Sequence, residues 1–162
     1  MPMLNFGCGR DIRKGWVNAD IQKGKKIKSF DFDKFPYPFK KNTFDYVFAK
    51  NILEHLNNPL EALHELWKVC KNGAIIEVIV PYWNCEGAHS DITHKNFWSE
   101  HAIDIIVNPN KHYSINPKKK FRLVSLELNP TPIGKFVPFR RIISHYIAGI
   151  VNEMKFKLEI IK

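Results

Sequence analysis

Short apolar runs alternate with helical stripes along this chain. Met3 to Phe6 is an apolar run closed by glycines, which reads as a buried strand. Trp16 to Ile21 predicts a second strand, and Ile27 to Phe30 a third, short and flanked by lysines. Too few residues lie between these two for a full crossover helix, so their connection should be reduced or irregular. Phe44 to Ala49 predicts a fourth strand. Asn58-Pro59 then offers an N-cap followed by Pro at the first helical position. Leu60, Leu63, Leu66, Trp67 and Cys70 follow at helical spacing, with Trp67 read as core and Gly73 as the helix stop. Ala74 to Val80 is a continuous apolar strand interrupted only by Glu77 and stopped by Pro81.

The second half is looser. Pro81 to Trp98 reads as a polar and aromatic loop, Ser99-Glu100 as the start of a short helix reaching Val107, and Asn108 to Lys120 as a basic loop. Phe121 to Leu128 is strand-like. Pro138 to Val151 predicts a helix whose stripe of Ile142, Ile143, Tyr146, Ile147, Ile150 and Val151 must be hidden. Packing on the chain's own sheet is expected first, a homodimer contact second, and a membrane surface third. Phe156, Leu158 and Ile160 alternate with charged residues, as in a half-buried strand.

Alternating strands and helices imply an α/β fold, a mostly parallel sheet with helices on both faces. Ligands of such sheets sit at the carboxyl ends of the strands, near the switch in strand order. That rule points to the loops after Phe6, Asp20, Phe30, Ala49 and Val80.

Composition narrows the class. With 162 residues, a single domain over 1–162 is expected. A hydrophobic share of 44% excludes a disordered chain. No apolar run is long enough to span a bilayer, and Met1 to Phe6 does not read as a secretory signal. The cysteines, Cys8, Cys70 and Cys85, form no CxxC pair, so neither a disulfide framework nor a structural zinc site is suggested, and a cytoplasmic setting is expected. The net charge of +9 is gathered in short clusters and keeps nucleic acid open as a partner, although no nucleic-acid motif accompanies it.

Candidate chemistry begins at Gly7-Cys8-Gly9, directly after the first strand. Glycine permits a sharp turn and close approach of a ligand, and amides there can face a carboxylate or phosphate. Asp20, thirteen residues after Gly7, ends the second strand, where a carboxylate can accept both hydroxyls of a ribose. Together they point to a nucleoside-containing ligand. A second cluster is His89, Asp91 and His94. Three roles stay open for it: tying down a long loop, taking a proton from an acceptor, or binding a metal. His55, in Leu-Glu-His-Leu, reads as a local packing and capping group.

The segment LNFGCGRDIRKGWVNADI resembles the start of the Rossmann-like (class I) S-adenosylmethionine-dependent methyltransferases, and DFDKFPYPFKKNTFDYVFAKNILEHL is similar to that family's next motifs. The likeness is to the methyltransferase type 11 group and runs from Leu4 to Trp98. It implies a Rossmann-like sheet with an antiparallel last strand, in which Phe121–Leu128 and Phe156–Ile160 supply the sixth and seventh strands. It also implies an S-adenosyl-L-methionine cofactor, wrapped by Gly7, Cys8 and Gly9, with Asn5 where the family carries an acidic residue. Asp20 would hold the ribose and Ile21 pack on the adenine. Asp31 would reach the adenine amino group, with Phe32 beside the ring and Lys50 and Asn51 under the sulfonium. His89, Asp91 and His94 would then lie over the methyl donor as the catalytic candidates. The expected activity is methyl transfer to an oxygen or nitrogen of a small molecule. The alternatives are an RNA methyltransferase and a non-catalytic methyltransferase-like binding subunit.

Overall fold

The computed structural model describes residues 1–108 and 118–162, so most of the expected Asn108–Lys120 loop lies outside the described residues. Seven strands form one sheet: β1 (Met3–Phe6), β2 (Val17–Asp20), β3 (Ile27–Ser29), β4 (Phe44–Lys50), β5 (Cys70–Pro81), β6 (Lys120–Pro130) and β7 (Val151–Ile161). Their order is β3-β2-β1-β4-β5-β7-β6. The first five run parallel, and β7 is antiparallel to both β5 and β6. The architecture is thus the α/β, Rossmann-like one with an antiparallel strand at the expected place. No described helix is long and apolar enough to cross a membrane.

The connection between β2 and β3 is a turn, as the short spacing required. The helix α1 spans Pro59–Val69; the Asn58 side chain accepts from the Glu61 amide at 3.0 Å, and Pro59 opens the first turn. Two details differ from the sequence reading. Gly73 does not end α1, because the chain turns into β5 already at Cys70. Gly73 instead occupies a bulge, with φ of +76°, where the register jumps between the Phe44–Cys70 and Tyr46–Ile75 pairs. Trp67 is only partly buried, and its indole N–H donates to the carbonyls of Lys120 and Ile161 at 3.2 and 3.1 Å, tying α1 to the far edge of the sheet.

Period-two alternation decides which face is core. Leu4, Phe6, Ala19, Val47, Ala49, Ile76, Val78, Val80, Met154, Phe156, Leu158 and Ile160 are all fully buried. Ala62, Leu63 and Leu66 of α1, and Ile103 and Ile106 of α3 (Glu100–Val107), join the same cluster. The alternate positions Met3, Tyr46, Phe48, Ile75 and Ile79 remain partly exposed, and most of them line an open apolar hollow. α1 and α3 pack on the face that carries the buried cluster. The loop between β1 and β2 partly caps the other, with the Arg13 guanidinium 3.8 Å from the Phe48 ring centroid and Trp16 edge-on to Tyr46. Glu77 sits on this face, accepting from the Tyr46 hydroxyl and pairing with Lys155 and Lys157 at 3.2 and 3.1 Å.

The helix expected over Pro138–Val151 is corrected to a single turn, α4 (Arg140–Ile143), followed by turns to Gly149. Its stripe is split between two environments. Ile150 and Val151 are buried at the start of β7, where Val151 pairs with Pro130, whereas Ile142, Tyr146 and Ile147 are 64%, 85% and 57% exposed. A helix nucleus is costly, and here the β7 ladder captures the end of the segment.

Candidate functional site

Three strand ends come together by register. Phe6 aligns with Ala19 on one side and with Ala49 on the other. The loops after β1, β2 and β4 therefore open at one edge, where the strand order reverses. A cavity of about 320 Å³ lies there, lined by Asn5, Gly7, Cys8, Gly9, Arg10, Asp11, Phe48, Lys50 and Asn51.

The glycine loop is fixed from within. The amides of Gly7 and Cys8 both donate to the Ala19 carbonyl, at 3.0 and 2.9 Å, and the Gly9 amide donates to the Asp20 carboxylate at 2.7 Å. The expectation that these amides face a ligand's charged group is therefore corrected: all three are engaged inside the fold. Gly7 (φ +75°) packs against Ile52, whose Cγ1 lies 2.7 Å from where a Cβ would stand. Gly9 (φ +48°) has nothing within 4 Å of that position. The loop leaves open space at Gly9, a cradle that a side chain would fill.

The other cofactor candidates divide. Asn5 is buried, with its side-chain amide donating to the Asp11 carbonyl (2.6 Å) and the Asn18 side chain (3.1 Å), which shapes the loop between β1 and β2. Asp20 accepts from Gln22 as well as Gly9, so it locks two loops besides standing at the β2 terminus. Ile21 is 63% exposed and free to cover a ligand face. Asp31 is half-buried and accepts from the Asp33 amide at 3.0 Å. The Phe32 ring does not lie at the surface beside these groups. It is buried, stacked on Phe6 at 4.1 Å between centroids, which corrects its expected place beside an adenine. Lys50 and Asn51 line the cavity, Asn51 in the left-handed region (φ +51°) with its amide donating to the Ile79 carbonyl.

Asn51 also lines a second cavity, of about 340 Å³, with Glu54, His55, Pro81, Gly87, Asp91, His94, Asn152 and Glu153. The 3-10 turn Leu53–His55 supplies one wall. The loop after α2 (Glu86–Ser90) supplies the other, and the two are stitched together by the backbone. The Lys95 and Asn96 amides donate to the Glu54 carbonyl at 2.8 and 3.1 Å, and the Asn96 side chain donates to the Leu56 carbonyl at 2.6 Å. These bonds bring His94 against His55, ring centroids 4.6 Å apart.

Of the three residues expected to act together, Asp91 and His94 line this cavity and His89 does not. His89 stacks on Phe97 at 4.6 Å and bonds the Trp83 carbonyl. Its place is taken by Glu54 and His55, which the sequence reading passed over or assigned to packing. Glu54 is 1% exposed, and neither carboxylate oxygen has a hydrogen-bond partner. Burial pushes its carboxyl up to about 7. Burial, reinforced by His94, lowers the His55 imidazole below its usual value. The available signal was the Glu-His pair just after the fourth strand, at the carboxyl edge where ligands gather.

Residues 4–78 match a family model described as a methyltransferase domain. An uncharacterized protein of Methanocaldococcus jannaschii is 52% identical over 91 residues, covering 48% of this chain; the chain spans 40% of that relative's length. Among solved structures, an S-adenosylmethionine-dependent methyltransferase from Archaeoglobus fulgidus superposes with a TM-score of 0.71 at 16% identity, covering 98% of this chain and 85% of its own. Another from Mesorhizobium loti gives 0.63 at 8% identity, covering 98% and 90%. The chain has the fold of the class I, Rossmann-like methyltransferases, and its residues 4–78 match the methyltransferase-domain family.

Proposed function

We propose that this chain is an S-adenosylmethionine-dependent methyltransferase acting on an oxygen or nitrogen of a small molecule. The observation that carries this reading is the pair of adjoining cavities that share Asn51: one on the glycine loop, the other lined by ionisable side chains. A methyl donor and its acceptor need such an arrangement, each held separately and meeting at one wall. The family match and the structural neighbours favour the donor's identity. The open space at Gly9 and the carboxylate at the end of β2 fit a nucleoside-bearing cofactor.

S-adenosylmethionine, when bound, supplies a methyl already activated by its sulfonium, so the protein mainly positions and desolvates. Asp20 holds the glycine loop in shape. Asn51 is held in its turn by the Ile79 carbonyl at 2.9 Å and separates the two cavities. In the second cavity, Glu54, His55 and His94 surround the acceptor's polar end. A volume of about 340 Å³ suits a small acceptor better than a nucleic-acid strand.

Calorimetry with S-adenosylmethionine tests the donor half. Incubation with fractionated cell metabolites, followed by mass spectrometry for a compound gaining one methyl group, tests the transfer. A folded protein that binds no S-adenosylmethionine would refute the reading.

A further inference from the structure

We propose that Glu54, His55 and His94 form a binding site for a divalent first-row transition metal, with Zn²⁺ the ion best suited to the donor set. The proposal rests on the acceptor cavity described above and deepens its reading. One ligand atom from each side chain lies within 4.8 Å of the others, and all three line the same cavity. Two imidazoles and one carboxylate, with room for a further ligand, are the set that open zinc sites use.

The hydrogen bonds around the two histidines settle which nitrogen is available. His94 Nδ1 lies 3.0 Å from the Ala88 carbonyl, which can only accept, so Nδ1 carries the proton and Nε2 is left with its lone pair. For His55 the proton position is set by Thr93. The Thr93 hydroxyl lies 2.6 Å from Asp91 Oδ1 and donates its one proton there, so it accepts from His55 Nδ1 at 2.9 Å. His55 Nε2 is therefore also unprotonated. Both rings have the tautomer a metal needs, fixed by the outer contacts that hold metal-binding histidines: a backbone carbonyl in one case, and a carboxylate acting through a hydroxyl in the other. Asp91 Oδ2 stands 3.8 Å from His94 Nε2, close enough to pair with a protonated ring but beyond a hydrogen bond.

Glu54 supplies the independent sign of a ligand. A buried carboxylate with two unpartnered oxygens is costly, and buried charges are paired or coordinate metals. Metal bonds of about 2.1 Å require the three side chains to draw inward on binding. The ion would sit in the acceptor cavity beside Asn51. Its open position selects acceptors with a metal-binding oxygen, a hydroxyl or carboxylate.

Untagged, chelator-treated protein is titrated with Co²⁺, whose visible absorption reports coordination, and then with Zn²⁺ in competition. One Co²⁺ per chain, displaced by Zn²⁺, is expected. Glu54→Gln and His94→Ala should each lower the affinity by more than about tenfold, and His89→Ala should leave it unchanged. His55→Ala, at a more exposed position, gives a third ligand deletion should either of the first two fail to fold by circular dichroism. No stoichiometric binding, or binding that folded ligand variants leave intact, overturns the proposal. Calorimetry with S-adenosylmethionine on the same samples separates the two readings: cofactor binding without metal binding sinks the metal site alone, and metal binding without cofactor binding sinks the methyltransferase reading alone.

Discussion

The two loop glycines should respond differently to the same substitution. Both have positive φ, so an alanine at either costs about 1–2 kcal/mol for the left-handed backbone. At Gly7 the new methyl would also stand 2.7 and 2.8 Å from two carbons of Ile52, one of them the branched Cβ, which cannot swing aside as a flexible chain end could. Such overpacking adds about 1–3 kcal/mol. Gly7→Ala should therefore lose about 2–5 kcal/mol, a large share of the ~5–15 kcal/mol that holds a domain together. In a chain of this size that lowers the melting temperature by roughly 4–20 °C. At Gly9 the methyl meets nothing in the protein, so only the backbone term applies, and a fall of roughly 2–8 °C is expected. Its methyl instead enters the cavity, so Gly9→Ala should lose S-adenosylmethionine affinity out of proportion to its stability. Calorimetric melting without ligand, followed by titration of S-adenosylmethionine at a temperature where both variants are folded, reads the two effects separately. Equal melting temperatures for the two variants would refute the steric reasoning, and undiminished cofactor affinity in Gly9→Ala would refute the placement of the donor.

Other residues give further checks. Asp20→Ala frees the amides of Gly9 and Gln22; it should weaken S-adenosylmethionine binding about ten- to a hundredfold, from about 1.5–3 kcal/mol of charge-assisted hydrogen bonding, and unchanged affinity by titration would count against it. Burial alone would raise the Glu77 carboxyl, but the Tyr46 hydroxyl, Lys157 and Lys155 together hold it below its usual value. Its contribution to stability is therefore present above the ordinary carboxylate range and is lost as pH falls through the depressed value. Melting temperature followed against pH should show this acid loss in the parent protein and less of it in Glu77→Gln; identical acid limbs would contradict the assignment. Ile142→Ser and Tyr146→Ser alter side chains that are 64% and 85% exposed, so each should change monomer stability by less than about 0.5 kcal/mol in chemical denaturation; a larger loss would mean the stripe is packed after all.

Features that depend on neighbours along the chain were legible in the residue pattern. An apolar run closed by Gly7 makes β1 and its turn, Asn58-Pro59 starts α1, and the alternation of Phe156, Leu158 and Ile160 makes β7. The spacing from β2 to β3 excluded a helix. The chain also named one wall of each cavity, through Gly7-Cys8-Gly9 and through Asp91 and His94. The rest emerged only on folding, through three effects. Hydrogen bonds and ring stacking reassign groups that a motif leaves free: the loop amides bond to Ala19 and Asp20, and the Phe32 ring stacks on Phe6. Ladder pairing outcompetes weak local helices, so the segment expected to be helical from Pro138 yields its end to β7. Contacts between distant segments have no periodicity to read. Nothing along the chain shows that Lys95 and Asn96 donate to the Glu54 carbonyl, yet those bonds bring His94 to Glu54 and His55 and leave His89 outside.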